Sequence, residues 1–123
     1  MMRAVLLVAA GGAAGSVMRY LTSVLTMRFF HGHFALATFV ANAIGCLLIG
    51  LLMGFFIKHN LSNSDMKWLL VTGFCGGYTT FSAFAFENVS LMQSQQYATA
   101  LLYIGASVIV GLAAVWLGLF LAR

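Results

Sequence analysis

The sequence predicts an all-α membrane protein whose single domain contains four transmembrane helices, and its overall composition supports this. Of the 123 residues, 63% are apolar, 7% are charged and none is proline, and the mean hydropathy is +1.02. About a quarter of the residues in a soluble domain are charged, so a water-soluble fold of this chain would expose apolar surface almost everywhere. The composition therefore excludes a soluble enzyme, a nucleic-acid-binding domain and a disordered linker, and it places the chain in a bilayer.

Four apolar runs supply the spans. A helix needs about 20 mostly apolar residues to cross the hydrocarbon, and the runs lack the alternation of a β-barrel. The first run also resembles a secretory signal, but its cleavage would leave no soluble domain to export, so we keep it as a span. We expect one domain over residues 1–123, with spans at about 4–27, 34–57, 68–92 and 97–122.

The basic residues lie mostly near the ends of the spans. One side of the membrane collects Arg3, Lys58, Lys67 and Arg123, and the other collects Arg28 and, if it reaches that interface, Arg19. This bias favours cytoplasmic termini, but so few charges leave insertion in both orientations open. Scattered bases suit anionic lipid headgroups, whereas a polynucleotide requires a clustered basic face, so we expect membrane lipid and no nucleic acid as a partner.

Small residues recur four positions apart in three of the spans. The pairs are Gly11 and Gly15, Gly50 and Gly54, and Gly73 and Gly77. Each pair clears one helix face so that another backbone can approach closely. The spacing alone does not say whether that backbone belongs to the same subunit or to a second copy.

The cysteines and histidines do not form a recognisable metal site. Cys46 and Cys75 fall inside apolar runs, so we expect two buried, reduced thiols. His31, His33 and His59 lie in connections, and the pair at 31 and 33 has no further ligands nearby. We interpret the histidines as interfacial polar residues.

The third span has an unusual composition for a membrane helix. Three of the five residues from Gly73 to Gly77 are glycine, and the hydroxyls of Thr79, Thr80 and Ser82 follow at mid-membrane depth. Glycine weakens a helix by about 1 kcal/mol relative to alanine, and hydroxyls compete with the helical hydrogen bonds. These residues predict a broken helix near 76–80, whose freed carbonyls must bind water, protein or a cation. A kinked but fully hydrogen-bonded helix is the alternative.

Uncharged groups that suit an anion lie near this region. Phe81 and Phe84 are three residues apart and share a helix face, and the edges of their rings carry partial positive charge. Ser82 adds a hydroxyl donor, and Asn42 places amide donors in the middle of the second span. Weak donors of this kind allow an anion to enter and leave, although stacked rings and a buried Asn also occur as plain helix packing.

Arg19 and Glu87 are the ionisable residues that lie well inside spans. Such residues usually face a water-filled cavity and are functional candidates. Glu87 lies near the end of its span, where a wet vestibule would accommodate it. Arg19 has three interpretations: it draws anions to a pore mouth, it pairs with Glu87, or it snorkels to the headgroups.

A family resemblance links these features. The run from Gly73 to Phe84 (GFCGGYTTFSAF) resembles the G-x-C-G-G-x-[ST]-T-F-S-[TA]-F signature of the Fluc (CrcB) fluoride channels. The glycines at 11, 12 and 15 followed by Arg19 resemble the family's first helix, and residues 40–45 resemble its second-helix V-N-x-x-G element. The resemblance covers the whole chain. Ala83 replaces the commoner threonine, and Gly111 lies where some members carry a polar residue.

The resemblance implies an antiparallel, dual-topology homodimer of four-helix subunits with a broken third helix, two fluoride pores and one central structural sodium ion. It implies that the backbone carbonyls of Gly76 and Thr79 bind the sodium and that Arg19 and Glu87 line a vestibule. The pore residues that it implies are Asn42, Phe81, Ser82, Phe84 and Tyr103. The expected function is passive export of cytoplasmic fluoride across the inner membrane, which gives fluoride resistance and is not an enzyme activity.

Two other functions remain open at this point. A small four-helix drug/proton antiporter has the same size and also inserts both ways, but it needs a carboxylate deep in a substrate cavity. Glu87 is the one intramembrane acid, and it lies toward a span end. A non-transporting membrane subunit would explain the glycine faces but leaves the run from Thr79 to Ser82 without a role.

Overall fold

The computed structural model describes residues 1–31 and 34–123, and over these residues it is helical and contains no strand. Four segments are long and apolar enough to cross a membrane, namely Met2–Phe30, Ala35–Lys58, Asp65–Gln93 and Tyr97–Leu121. The prediction of an all-α chain with four membrane spans is therefore confirmed. The expectation for His33 lies outside the described residues.

The first, second and fourth spans are continuous helices. They are α1 (Met2–Phe30), α2 (Phe34–Lys58) and α5 (Tyr97–Leu121). α1 runs three residues beyond the predicted end of the first span, through Phe30, and His31 closes it in the left-handed conformation with φ 40°. A residue in the left-handed conformation commonly ends an α-helix.

The third span consists of two helices, α3 (residues 65–78) and α4 (Phe81–Gln93). Most of α3 is a π-helix, Trp68–Cys75, flanked by single α-helical turns at Asp65–Lys67 and Gly76–Tyr78. Between α3 and α4 the backbone is extended, with φ −89° and ψ 157° at Thr79 and φ −150° and ψ 121° at Thr80. We call these two extended residues the break. π-helical segments within a helix occur frequently at functional sites.

The glycine faces pack helices within one subunit. Gly15 of α1 is buried against α3, and a methyl group added to it would lie 2.9 Å from the backbone nitrogen of Tyr78. Gly50 of α2 packs on α5, where an added methyl would lie 3.0 Å from the Cα of Gly118. The glycine faces therefore pack against helices of the same subunit, α1 against α3 and α2 against α5.

One end of the bundle collects most of the charge. The Arg3 guanidinium lies 2.7 Å from the Asp65 carboxylate, so the start of α1 and the start of α3 are neighbours. The ends of α2 and α5 meet at the same end of the bundle, where Lys58 and Arg123 line one groove. α2 and α5 therefore run parallel, and both chain termini lie on one side of the membrane.

Candidate functional site

Asn42 holds the extended backbone between α3 and α4. Its Nδ2 donates to the carbonyl oxygen of Thr80 at 3.0 Å, and its Oδ1 accepts from the Thr80 backbone N–H at 2.8 Å. These two bonds replace the helical partners that Thr80 lacks, because an unpaired peptide group is costly in hydrocarbon. The amide thus positions the break, and one hydrogen of its NH₂ group has no partner among the described residues.

The hydroxyls on either side of the break stabilise the adjoining helix ends. Thr79 donates from Oγ1 to the Cys75 carbonyl at 2.8 Å. Thr80 caps α4, because its Oγ1 accepts from the Ala83 N–H at 3.2 Å. The exposed Ser82 hydroxyl lies 3.1 Å from that same oxygen, where either group can be the donor. The side-chain hydroxyls therefore supply hydrogen bonds at the two helix ends, where the regular backbone hydrogen bonds stop.

A cavity of about 310 Å³ lies beside the break, between α2, α4 and α5. Three of the predicted pore residues, Asn42, Phe81 and Phe84, line it, as does the proposed sodium ligand Thr79. The rings of Phe81 and Phe84 lie 5.7 Å apart between centroids and are tilted by 42°. The other lining residues are Cys46, Ile49, Thr80, Ser107 and Val108. The wall is mostly apolar with a few polar atoms, as expected for a small-ligand site.

Two lining residues were missed in the sequence analysis. Ser107 has a buried hydroxyl with no hydrogen-bond partner in the part of the chain that the structure describes. Cys46 is a free, half-buried thiol in the same wall, whereas Cys75 is fully buried. Their spacing carried a signal, because Cys46 follows Asn42 and Ser107 follows Tyr103 by four residues on the same helix.

Glu87 lies in a small buried network next to this cavity. Tyr103 donates to its Oε1 at 2.7 Å, and Thr38 donates to its Oε2 at 2.5 Å. Glu87 is 6% exposed, and both donors are also buried. The edge of the Tyr103 ring meets Phe84, with centroids 5.1 Å apart, which connects the network to the cavity wall. The sequence analysis missed the contact between Thr38 and Glu87, because the two residues lie on different helices.

Arg19 and Glu87 do not form the ion pair that the sequence allowed. Arg19 of α1 faces α3, where its Nε donates to the Gly77 carbonyl at 3.1 Å. Glu87 of α4 faces α2 and α5, and two hydroxyls satisfy its carboxylate. The separation follows from the packing, because the two residues lie on faces directed toward different helices. Arg19 instead satisfies a carbonyl at the end of α3.

The predicted sodium ligands lie at the break. The carbonyls of Cys75, Gly77 and Thr80 accept hydrogen bonds there. No hydrogen bond found in residues 1–31 and 34–123 ends on the carbonyl oxygen of Gly76 or Thr79. The same ranges contain no cluster of three or more His, Cys, Asp or Glu side chains. The oxygen atoms available to a cation at the break are therefore backbone carbonyls and the nearby hydroxyls.

Comparisons with known proteins agree with the sequence resemblance. The family described as "CrcB-like protein, Camphor Resistance (CrcB)" matches residues 6–119. Proteins called "Fluoride-specific ion channel FluC" are similar over almost the whole chain. The one from Flavobacterium psychrophilum is 49% identical over 122 residues, which cover 99% of this chain and 98% of that protein. The one from Azobacteroides pseudotrichonymphae is 45% identical over 123 residues, which cover 100% and 98%.

Proposed function

The chain belongs to the CrcB-like protein family, and from this premise we propose that it is a passive, fluoride-selective channel that lets fluoride leave the cytoplasm. The family is one of ion channels and not of enzymes, and the chain is a multi-pass membrane protein. The observation that carries the proposal is the cavity beside the break, where Asn42, Phe81 and Phe84 come together. The relatives' name gives no support to a drug/proton antiporter.

The cavity offers uncharged donors to a small anion. Fluoride is strongly hydrated, so the groups that replace its water must approach it closely. The free hydrogen of the Asn42 amide, the unpartnered Ser107 hydroxyl and the positive edges of Phe81 and Phe84 are such groups. None of them carries a full positive charge, so the anion is bound weakly enough to leave.

We further propose that the assembled channel holds a central structural sodium ion. The fit rests on the carbonyls of Gly76 and Thr79, since oxygen atoms of unwound backbone coordinate sodium in other membrane proteins. Gly76 is exposed, and a methyl group added there would meet nothing closer than 3.9 Å, so its surroundings are open to a second copy. Bound sodium would supply positive charge that holds the breaks of two subunits together.

The proposed assembly is an antiparallel, dual-topology homodimer with two pores. On α4, Phe81 is 79% exposed and Phe86 is 71% exposed, so the described residues of the subunit leave both rings largely uncovered. Two carbonyls from one subunit do not complete a sodium shell, whereas two subunits supply four. The small charge bias between the two ends of the bundle is compatible with insertion in both directions.

A growth experiment tests the proposed function in the inner membrane of bacteria. Cells that lack their own fluoride exporters are grown in fluoride at mildly acidic pH, where neutral hydrogen fluoride enters and dissociates in the cytoplasm. Expression of the chain is expected to restore growth, and an empty vector is the control. Failure to restore growth, with the protein detected in the membrane fraction, would contradict the proposal.

A further inference from the structure

A second cavity lies at the charged end of the bundle, away from the candidate pore. It is a groove of about 420 Å³ between the ends of α2 and α5, lined by Gly54, Ile57, Lys58, Leu119 and Arg123. It shares no lining residue with the cavity beside the break. The proposed conduction mechanism therefore gives this groove no role.

The walls of the groove change from apolar to cationic along its length. Ile57 and Leu119 provide apolar surface, and Gly54 packs closely on α5, where an added methyl group would lie 2.6 Å from the Ala122 Cβ. Lys58 is the last residue of α2, and Arg123 follows the end of α5, so both cations lie at the outer end. Cations are favoured at this position because the last carbonyls of a helix carry partial negative charge.

Aromatic rings mark the same end of α5 as an interfacial depth. Trp116 and Phe120 are stacked with centroids 5.7 Å apart, and both are more than half exposed. The Arg123 guanidinium lies 6.0 Å from the Phe120 ring centre. Amphipathic rings favour the level of the lipid headgroups, so the outer end of the groove lies where phosphates are found.

No acidic side chain of the chain is available to neutralise the two cations. The chain has two acidic residues. Asp65 pairs with Arg3 at 2.7 Å, and Glu87 accepts hydrogen bonds from Thr38 and Tyr103. No acidic side chain among the described residues lines the groove, so an anion from another molecule can complement Lys58 and Arg123 there.

We propose that the groove binds one anionic phospholipid per subunit, with its phosphate between Lys58 and Arg123 and an acyl chain along Gly54, Ile57 and Leu119. Arginine presents a planar fork that matches phosphate, and lysine adds a compact charge. The apolar depth of the groove suits an acyl chain and gives a free phosphate ion nothing to contact, so the occupant is a lipid.

Native mass spectrometry of the delipidated full-length protein tests this proposal with phosphatidylglycerol and phosphatidylcholine as probes. We expect one phosphatidylglycerol to be retained per subunit in preference to phosphatidylcholine. Lys58→Gln and Arg123→Gln are each expected to weaken phosphatidylglycerol binding about fivefold, because one basic residue near an anionic lipid surface strengthens binding by about that factor. Lys58→Arg should retain the lipid. Lys67→Gln is the matched control, since it removes the same charge at the same end of the bundle but lies outside the groove.

Four results would overturn the proposal. Equal losses in Lys67→Gln and Lys58→Gln would mean diffuse attraction, and equal retention of both lipids would mean no recognition of the headgroup charge. Complete displacement of phosphatidylglycerol by millimolar inorganic phosphate would mean a free-anion site. A change of oligomeric state in Lys58→Gln without loss of lipid would mean that a second copy of the chain occupies the groove. Thermal unfolding of each variant without lipid checks that these surface substitutions leave the fold intact.

Discussion

At the scale of single residues, the proposed channel depends on how polar groups are paired inside hydrocarbon. Asn42 uses its carbonyl oxygen and one amide hydrogen to hold Thr80, so its side chain supports the fold and also faces the cavity. Glu87 is held by two hydroxyl donors. Both side chains lie in the membrane interior with hydrogen-bond partners from the subunit for most of their polar atoms.

The first prediction concerns the two phenylalanines of the cavity. Phe81→Ile and Phe84→Ile remove the positive ring edges, so we expect fluoride efflux from reconstituted vesicles to be suppressed while the dimer survives size-exclusion chromatography. Phe29→Ile is the matched control, because Phe29 lies on α1, is 68% exposed and does not line the cavity. Normal efflux from both cavity variants would show that these rings do not line the path.

A second prediction separates the two roles of Asn42. Asn42→Asp keeps an acceptor for the Thr80 N–H but removes the donor to its carbonyl and adds negative charge beside an anion path. Leaving that partly buried carbonyl without the Asn42 donor costs up to about 1–3 kcal/mol, so we expect a lower unfolding temperature and impaired fluoride efflux. Asn42→Ala, which lacks the charge, should be at least as unstable but less strongly inhibited per folded protein. Efflux at the wild-type rate in Asn42→Asp would refute the placement of Asn42 beside the path.

The third prediction tests the network around Glu87. Tyr103→Phe keeps the ring edge on Phe84 but removes the donor to Glu87, and a lost hydrogen bond to a charged group costs about 1.5–3 kcal/mol. We expect lower thermal stability and slower fluoride efflux, because a carboxylate with one hydrogen-bond donor fewer then lies next to the cavity wall. Tyr20→Phe, at an exposed position on α1, is the control. Unchanged stability and efflux in Tyr103→Phe would mean that the network has neither role.

At the scale of helices, the sequence predicts a structural feature when the residues of a single segment determine that feature. The four spans follow from run length against bilayer thickness. The extended residues Thr79 and Thr80 lie within the glycine- and hydroxyl-rich region that the sequence marks as weak for a helix. Thr38, Cys46 and Ser107 were missed because their significance depends on which faces of α2, α4 and α5 meet. The four-residue spacings place Cys46 on the helix face of Asn42 and Ser107 on that of Tyr103, but which faces of different helices meet is decided by the packing of several helices together.

The fourth prediction compares two glycines of α5. Gly118→Ala places a methyl group 2.6 Å from the Leu47 carbonyl oxygen on α2, whereas nothing lies within 4 Å of a methyl at Gly105. Overpacking of this kind costs about 1–3 kcal/mol, so Gly118→Ala should lower the unfolding temperature in detergent. Gly105→Ala should leave it equal or higher, because alanine is the better helix former by about 1 kcal/mol. Equal effects would show that α2 and α5 are not in close contact.

At the scale of the whole molecule, the subunit looks incomplete by itself. Its core is small, and Phe81 and Phe86 present apolar rings next to a break whose carbonyls at 76 and 79 have no hydrogen-bond partner in the described part of the subunit. The sequence patterns do not determine how subunits assemble, since assembly depends on a second copy and on its orientation. The antiparallel homodimer that we propose covers the exposed rings and brings four carbonyls together.

The fifth prediction concerns insertion in both orientations. Asn63→Cys and Gln95→Cys are exposed and lie at opposite ends of the bundle, whereas the native Cys46 and Cys75 lie inside spans. With a membrane-impermeant maleimide on intact cells, about half of each variant should be labelled before lysis, because the proposed antiparallel dimer needs both orientations and a bias of four basic residues against one or two is modest. Complete labelling of one variant and none of the other would establish a single topology.

The most direct test of the central claim is ion release from vesicles that contain only the purified protein. Vesicles are loaded with fluoride and chloride, and ion-selective electrodes follow both anions after a potassium ionophore is added to balance charge. The account predicts rapid release of fluoride, with chloride retained and no dependence on a proton gradient. Release of chloride together with fluoride, or retention of both anions, would contradict it.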